Sequence, residues 1–161
     1  MTDINNTPDI DQLLDGSLDD LADLPEFKPF PAGAHSATIV SWERKLFDDK
    51  VDSNKKNTAI VVRFKADSTI EPTDPADVVS PGQETEYMYF LSHHSSPKAA
   101  EIGQGGFKAL MASLVEFYGA DTPRNLMEKS TNASVLIVTG KRADKKDKSK
   151  VYSTLDTLKV L

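Results

Sequence analysis

The sequence predicts a mainly β domain, a five-stranded Greek-key barrel with a helix between its third and fourth strands, behind an acidic flexible N-terminal tail. Three observations predict it. Five apolar runs with strand-like patterning are spread over 161 residues. One amphipathic helical series separates the third run from the fourth. Eight of the 25 acids and none of the bases lie in residues 1–27, ahead of all of these elements. Three strands, a helix and two further strands is the element order of the OB-type barrel. A five-stranded sandwich is the alternative topology; the barrel is preferred because the first strand is long enough to pair in both halves.

Residues 1–27 carry eight acids and no base, so they read as a leader, and residues 28–161 as the barrel domain. Ile10, Leu13, Leu14, Leu21 and Leu24 fall near helical spacing, but Gly16 and the intervening aspartates weaken an isolated helix. The leader is therefore expected to be largely disordered when free. Three prolines and a glycine in residues 25–33 give an extended entry to the barrel.

The first strand spans about 34–47. Its apolar parity changes between Ile39 and Val40, which predicts a bulge or a strand shared by both halves of a barrel. The second strand alternates Ile60, Val62 and Phe64 with Val61, Arg63 and Lys65. Residues 67–83, with Pro72, Pro75 and Pro81, read as a long exposed loop. The third strand spans 84–91 around Tyr87, Met88, Tyr89 and Phe90. Gly103-Gln104-Gly105-Gly106 reads as a tight turn into a helix on which Phe107, Leu110, Met111, Leu114, Val115 and Tyr118 form one face, with Gly119 as its stop. A short helix follows at 123–129, capped by Thr122. The fourth strand spans 133–140 and the last 151–161, joined by a lysine-rich turn.

Net charge is −6, which by itself disfavours a polyanion ligand, but the leader accounts for it: the rest has 19 bases against 17 acids. OB-type barrels commonly bind oligonucleotides on the face of strands two and three, flanked by the one-two and four-five loops. With Ile60, Val62 and Phe64 inward, Arg63 and Lys65 point outward; with Met88 and Phe90 inward, Tyr87 and Tyr89 join them. Rings to stack on bases and cations to offset phosphates are what a single strand requires. The opposite register, with both tyrosines inside and Met88 and Phe90 half exposed, stays open at this level. Lys50, Lys55 and Lys56 in the one-two loop add charge, as do Lys141, Arg142, Lys145, Lys146, Lys148 and Lys150 in the four-five turn. Lysines in such a turn can also be merely solvated. Trp42, beside Arg44 and Lys45, is either core or part of the binding face.

Enzymatic chemistry finds no support. There is no cysteine, no serine in a nucleophile elbow, and no P-loop ending on the glycine run. His93 and His94 are adjacent and diverge, so no metal site and no cofactor are expected. Asn132-Ala133-Ser134 matches a glycosylation pattern that a cytoplasmic chain would not use. No signal peptide and no membrane segment are expected, so the chain reads as cytoplasmic.

Four features carry a resemblance: Leu24-Pro25-Glu26-Phe27, the entry Phe30-Pro31-Ala32-Gly33, Gly105-Gly106-Phe107-Lys108, and the basic turn 141–150 before a terminal strand. Over about residues 25–161 the sequence resembles the OB-fold single-stranded DNA-binding proteins encoded by bacteriophages. The resemblance implies sequence-tolerant binding of single-stranded DNA in replication or recombination. Many such proteins end in an acidic tail that recruits replication proteins or covers the empty groove. Here the acids stand at the other end. Asp11, Leu13, Leu14, Asp15, Asp19, Asp20 and Leu21 are therefore the candidates for partner binding or autoinhibition. A protein-interaction adaptor docking through this leader is the competing expectation, and a DNA mimic a weaker third.

Overall fold

A computed structural model describes residues 10–20 and 29–161. Leu21 and the boundary at residues 27–28 lie outside the described residues, as do the side chains of Leu13 and Asp20. Within the leader, α1 spans Ile10–Asp15 and a 3-10 turn spans Leu18–Asp20. The short helix stands where composition predicted chain without lasting structure. At six residues it is well below the length at which an isolated helix is stable in water.

Five antiparallel strands form one sheet in the order β3-β2-β1-β4-β5: β1 Gly33–Asp48, β2 Lys56–Pro72, β3 Glu84–Phe90, β4 Ser134–Ala143 and β5 Val151–Val160. In chain order, α2 (Pro97–Tyr118) and α3 (Pro123–Ser130) stand between β3 and β4. The first strand does serve two neighbours: β1 pairs with β2 along its length and with β4 from Gly33 to Thr38. Its pairing with β2 slips between Ile39 and Ser41, leaving Val40 as the extra residue. The slip moves the inward set from Ala37 and Ile39 to Trp42, where the sequence changes parity.

Two boundaries differ from expectation. The second strand continues to Pro72, because residues 67–72 lie against the start of β1 and the strand ends at the proline. The loop therefore begins at Thr73, and within it Val79 is buried. The helix expected to start near Phe107 starts ten residues earlier at Pro97, capped by Ser96, whose hydroxyl accepts from the Ala99 amide. Two of its three glycines, all interior, are positions of close approach. A Cβ on Gly103 would lie 2.0 Å from the Phe90 carbonyl oxygen, and one on Gly106 3.0 Å from the Tyr89 ring, while Gly105 faces open space.

The core lies on the inward face of the sheet beneath α2 and α3. Ile39, Val62, Phe64, Val135 and Ile137 meet Leu110, Met111, Leu114 and Leu126 there. Among the described residues no helix is long and apolar enough to cross a membrane.

One polar network crosses this core. His35 is fully buried; its Nε2–H donates to the Pro31 carbonyl (2.8 Å) and its Nδ1 accepts from the Thr69 hydroxyl (3.0 Å). The Thr139 hydroxyl donates to the same Pro31 carbonyl, and Thr69 Oγ1 accepts from the Val79 amide. The entry segment, three strands and the β2–β3 loop are thus tied at one imidazole. Burial pushes its pKa down against the opposing pull of the Pro31 carbonyl. A depressed histidine stabilises the fold fully above its unfolded value of about 6.5, and that contribution is lost as pH falls toward the folded value. His35→Ala is expected to cost about 2–4 kcal/mol through the void and the stripped Thr69 hydroxyl. It should also flatten the decline of the urea midpoint between pH 7.5 and 5; an unchanged slope would show that His35 does not supply it.

Candidate nucleic-acid interface

Register decides which side chains share a face. Ile60 lies opposite Tyr89 and Val62 opposite Tyr87, and directly opposed residues project to the same side. Val62 and Phe64 belong to the core cluster, as does Tyr87, and Tyr89 packs against it, so both tyrosines go inward. Tyr87 is 8% exposed, meets Phe64 edge-on, and shares a 2.8 Å hydrogen bond with Ser153 of β5. Tyr89 packs on Phe107 and Gly106, and burial pushes its phenol up to about 12. Tyr87 and Tyr89 are therefore corrected from exterior stacking groups to inward-facing packing residues. The set expected inside, Met88 and Phe90, faces outward.

Trp42 takes the inward side as well: its indole donates to the Ser130 hydroxyl at 3.0 Å and its ring packs on the core. Arg44 lies opposite Ile60, two residues further along the same strand face, exposed but on the opposite side of the sheet from Arg63 and Lys65. Neither joins the exterior group.

On the outer face Val61 opposes Met88, Arg63 opposes Glu86 and Lys65 opposes Glu84. Arg63 reaches the Glu86 carboxylate at 3.3 Å, and Lys45 lies 4.0 Å from Glu43 on β1. Three cations there meet three acids. At one end of β3, Phe90 contacts Phe47 and His93 edge-on, at 5.9 and 5.3 Å. The surface is aromatic and nearly neutral.

The one-two loop is locked from within. The buried Asp49 carboxylate accepts from the Val51 and Asp52 amides, the Asn57 side chain and the Ser95 hydroxyl. Those donors hold its pKa well below the usual carboxylate range. Lys56 pairs with Asp48, and Lys55 lies 3.9 Å from Asp52, which leaves Lys50 as the one base of this loop without an ion pair to a described residue. His93 Nδ1 accepts from the Ser96 amide, which commits that nitrogen to the start of α2.

The four-five turn differs. Its two acids are used by its own backbone: Asp144 accepts from the Lys146 amide, and Asp147 from the Ser149 amide and hydroxyl. Of its six bases, Lys141 pairs with Asp77 at 2.6 Å. Arg142, Lys145, Lys146, Lys148 and Lys150 form no ion pair with any described residue. Tyr152, half exposed, stands directly opposite Arg142 on this hairpin, its hydroxyl 3.4 Å from Asp144. The ring also borders a depression shared with Glu84, Thr85 and Glu86, so the hairpin adjoins the outer face of β3.

Of the residues singled out in the sequence, Arg63 and Lys65 share the outer face, and the cations of 141–150 share one hairpin. The exposed ring among them, Tyr152, was missed. Its signal was available: an aromatic residue one strand position past the lysine turn, at an outward place in the alternation of β5. In the leader, Ile10, Leu14 and Leu18 are exposed together with Asp11, Asp15 and Asp19. No protein-family model and no curated protein matches the chain.

Proposed function

We propose that the chain is a sequence-tolerant single-stranded DNA-binding protein on an OB-type barrel, acting in phage DNA replication or recombination. The β-strand order supports the barrel: β3 and β5 are the outer strands of the sheet, and the Tyr87–Ser153 hydrogen bond joins them. The observation that carries the function is the β4–β5 hairpin, which bears a half-exposed tyrosine and five cations with no ion pair to a described residue. Phosphates are recognised by charge and bases by stacking, and this hairpin offers both. The strand would leave it along β3, past Met88, to Phe90 and Phe47. Arg63 and Lys65 lie beside that path and would exchange their glutamates for phosphates.

Titration of a labelled thymidine oligonucleotide at two salt concentrations tests the reading. Steep salt dependence is expected, and an absence of binding at low salt would end it. Tyr152→Ala is expected to weaken binding by about 1–3 kcal/mol without loss of fold. Tyr87→Ala should instead lower the melting temperature, since it empties part of the core.

The exposed row Ile10, Leu14 and Leu18 favours a second reading, an adaptor that grips a replication or recombination protein through the leader. A pull-down lost on replacing those three side chains, from a chain with no oligonucleotide affinity, would favour it.

A further inference from the structure

β1 has strand neighbours on both edges only as far as Thr38, where its pairing with β4 ends. Beyond it the turn after α3 takes over: the Asn132 amide donates to the Ile39 carbonyl at 2.7 Å, and the Ile39 amide to the Ala133 carbonyl at 3.0 Å. The slip at Val40 turns Trp42 toward α3, where its indole N–H is held by Ser130 Oγ. Ser130 is fully buried and donates in turn to the Met127 carbonyl. One edge of the indole is therefore fixed. The half-buried ring borders an open depression of about 280 Å³ together with Arg124, Met127, Glu128 and Thr131.

The charges around this depression are left open. Arg124 and Glu128 are exposed, stand four residues apart on α3, and form no ion pair with any described residue. Asp121, the acid closest to Arg124 in sequence, is taken by Lys129 at 2.6 Å and by the Asn125 side chain. Arg44, likewise without an ion pair to a described residue, lies two positions past Trp42 on the same strand face. A ring, two guanidinium groups and one carboxylate complement a base that carries a phosphate. Rings stack on bases, guanidinium forks match phosphate oxygens, and a carboxylate accepts from the N–H groups on the pairing edge of guanine. The volume falls just below the range of roughly 300–1,000 Å³ of small-molecule sites, which suits one base and not two.

The geometry points to a nucleotide site between β1 and α3, with a guanine stacked on Trp42, its N–H edge toward Glu128 and its phosphate on Arg124 and Arg44. The site lies on the opposite side of the sheet from Arg63 and Lys65 and shares no residue with the β4–β5 hairpin, so it does not rest on the proposed function. A free guanosine phosphate and one guanosine unit of a single strand present the same chemistry to it.

Trp42 is the only tryptophan in the chain, so its emission reports on the site directly. Guanosine monophosphate added to the full-length protein is expected to quench that emission with saturation. Arg124→Ala and Glu128→Gln should each weaken the apparent affinity about tenfold, the size of one lost charge-assisted hydrogen bond. A monophosphate quench that persists in the variant Lys145→Glu, Lys146→Glu, Lys148→Glu identifies a free nucleotide as the ligand. A quench seen only with an oligonucleotide containing one guanosine, and lost in that variant, identifies a unit of the strand. Emission that neither ligand changes would overturn the proposal, as would a quench that Arg124→Ala and Glu128→Gln leave intact, which is collisional only. A labelled oligonucleotide that binds without altering Trp42 emission would remove this site and keep the proposed function. A monophosphate site in a chain with no oligonucleotide affinity would do the reverse.

Discussion

Gly103→Ala is expected to lower the stability of the domain by about 3 kcal/mol or more, the upper end for overpacking, because the obstacle is main chain. The added carbon would sit 2.0 Å from the Phe90 carbonyl oxygen and 2.6 Å from the Phe90 nitrogen. Neither atom can turn aside as a side-chain end could, so α2 must lift from β3. That displacement would also loosen Tyr89, which packs under Gly106. Gly105→Ala, two residues along the same helix, is the control: nothing lies within 4 Å of its new carbon. It should stabilise by about 0.5–1 kcal/mol through helix propensity alone. Urea unfolding of both variants checks the pair. Equal effects would mean that helix propensity, rather than the approach to β3, sets the cost at Gly103.

Charge reversal on the hairpin is expected to have the largest effect on binding. In Lys145→Glu, Lys146→Glu, Lys148→Glu the fold should be kept, since none of the three pairs with a described residue. Oligonucleotide affinity should fall about a hundredfold or more at low salt. The slope of log affinity against log salt should become shallower by about 2, from three lost phosphate contacts at about 0.7 each. Lys55→Glu with Lys56→Glu should act more weakly, because Asp52 and Asp48 already offset those charges. A hairpin variant that binds like the parent would move the interface elsewhere on the domain.

The elements were legible in the sequence where a pattern has one physical reading. Ile39–Val40 announced a bulge because two neighbouring apolar residues cannot both face one core from a regular strand. Thr122-Pro123 announced α3, whose cap accepts from the Asn125 amide. The start of α2 was misplaced because glycine normally ends a helix. Only the strand beneath it shows that Gly103 and Gly106 are there for what they lack. The candidate site was legible in its charges and not in its rings. Lysines in a turn are exposed whatever the register, whereas Tyr87-Met88-Tyr89-Phe90 is aromatic or apolar at every position and carries no parity of its own.

The sequence by itself determined the order of strands and helices, the place of the acids and the basic turn, because hydrophobic periodicity and charge are local properties of the chain. Only the tertiary structure decided which aromatic residues face solvent. A strand's faces are assigned by its partner: β2, with Val62 and Phe64 already committed to the core, turned Tyr87 and Tyr89 inward, and β4 placed Tyr152 opposite the exposed Arg142.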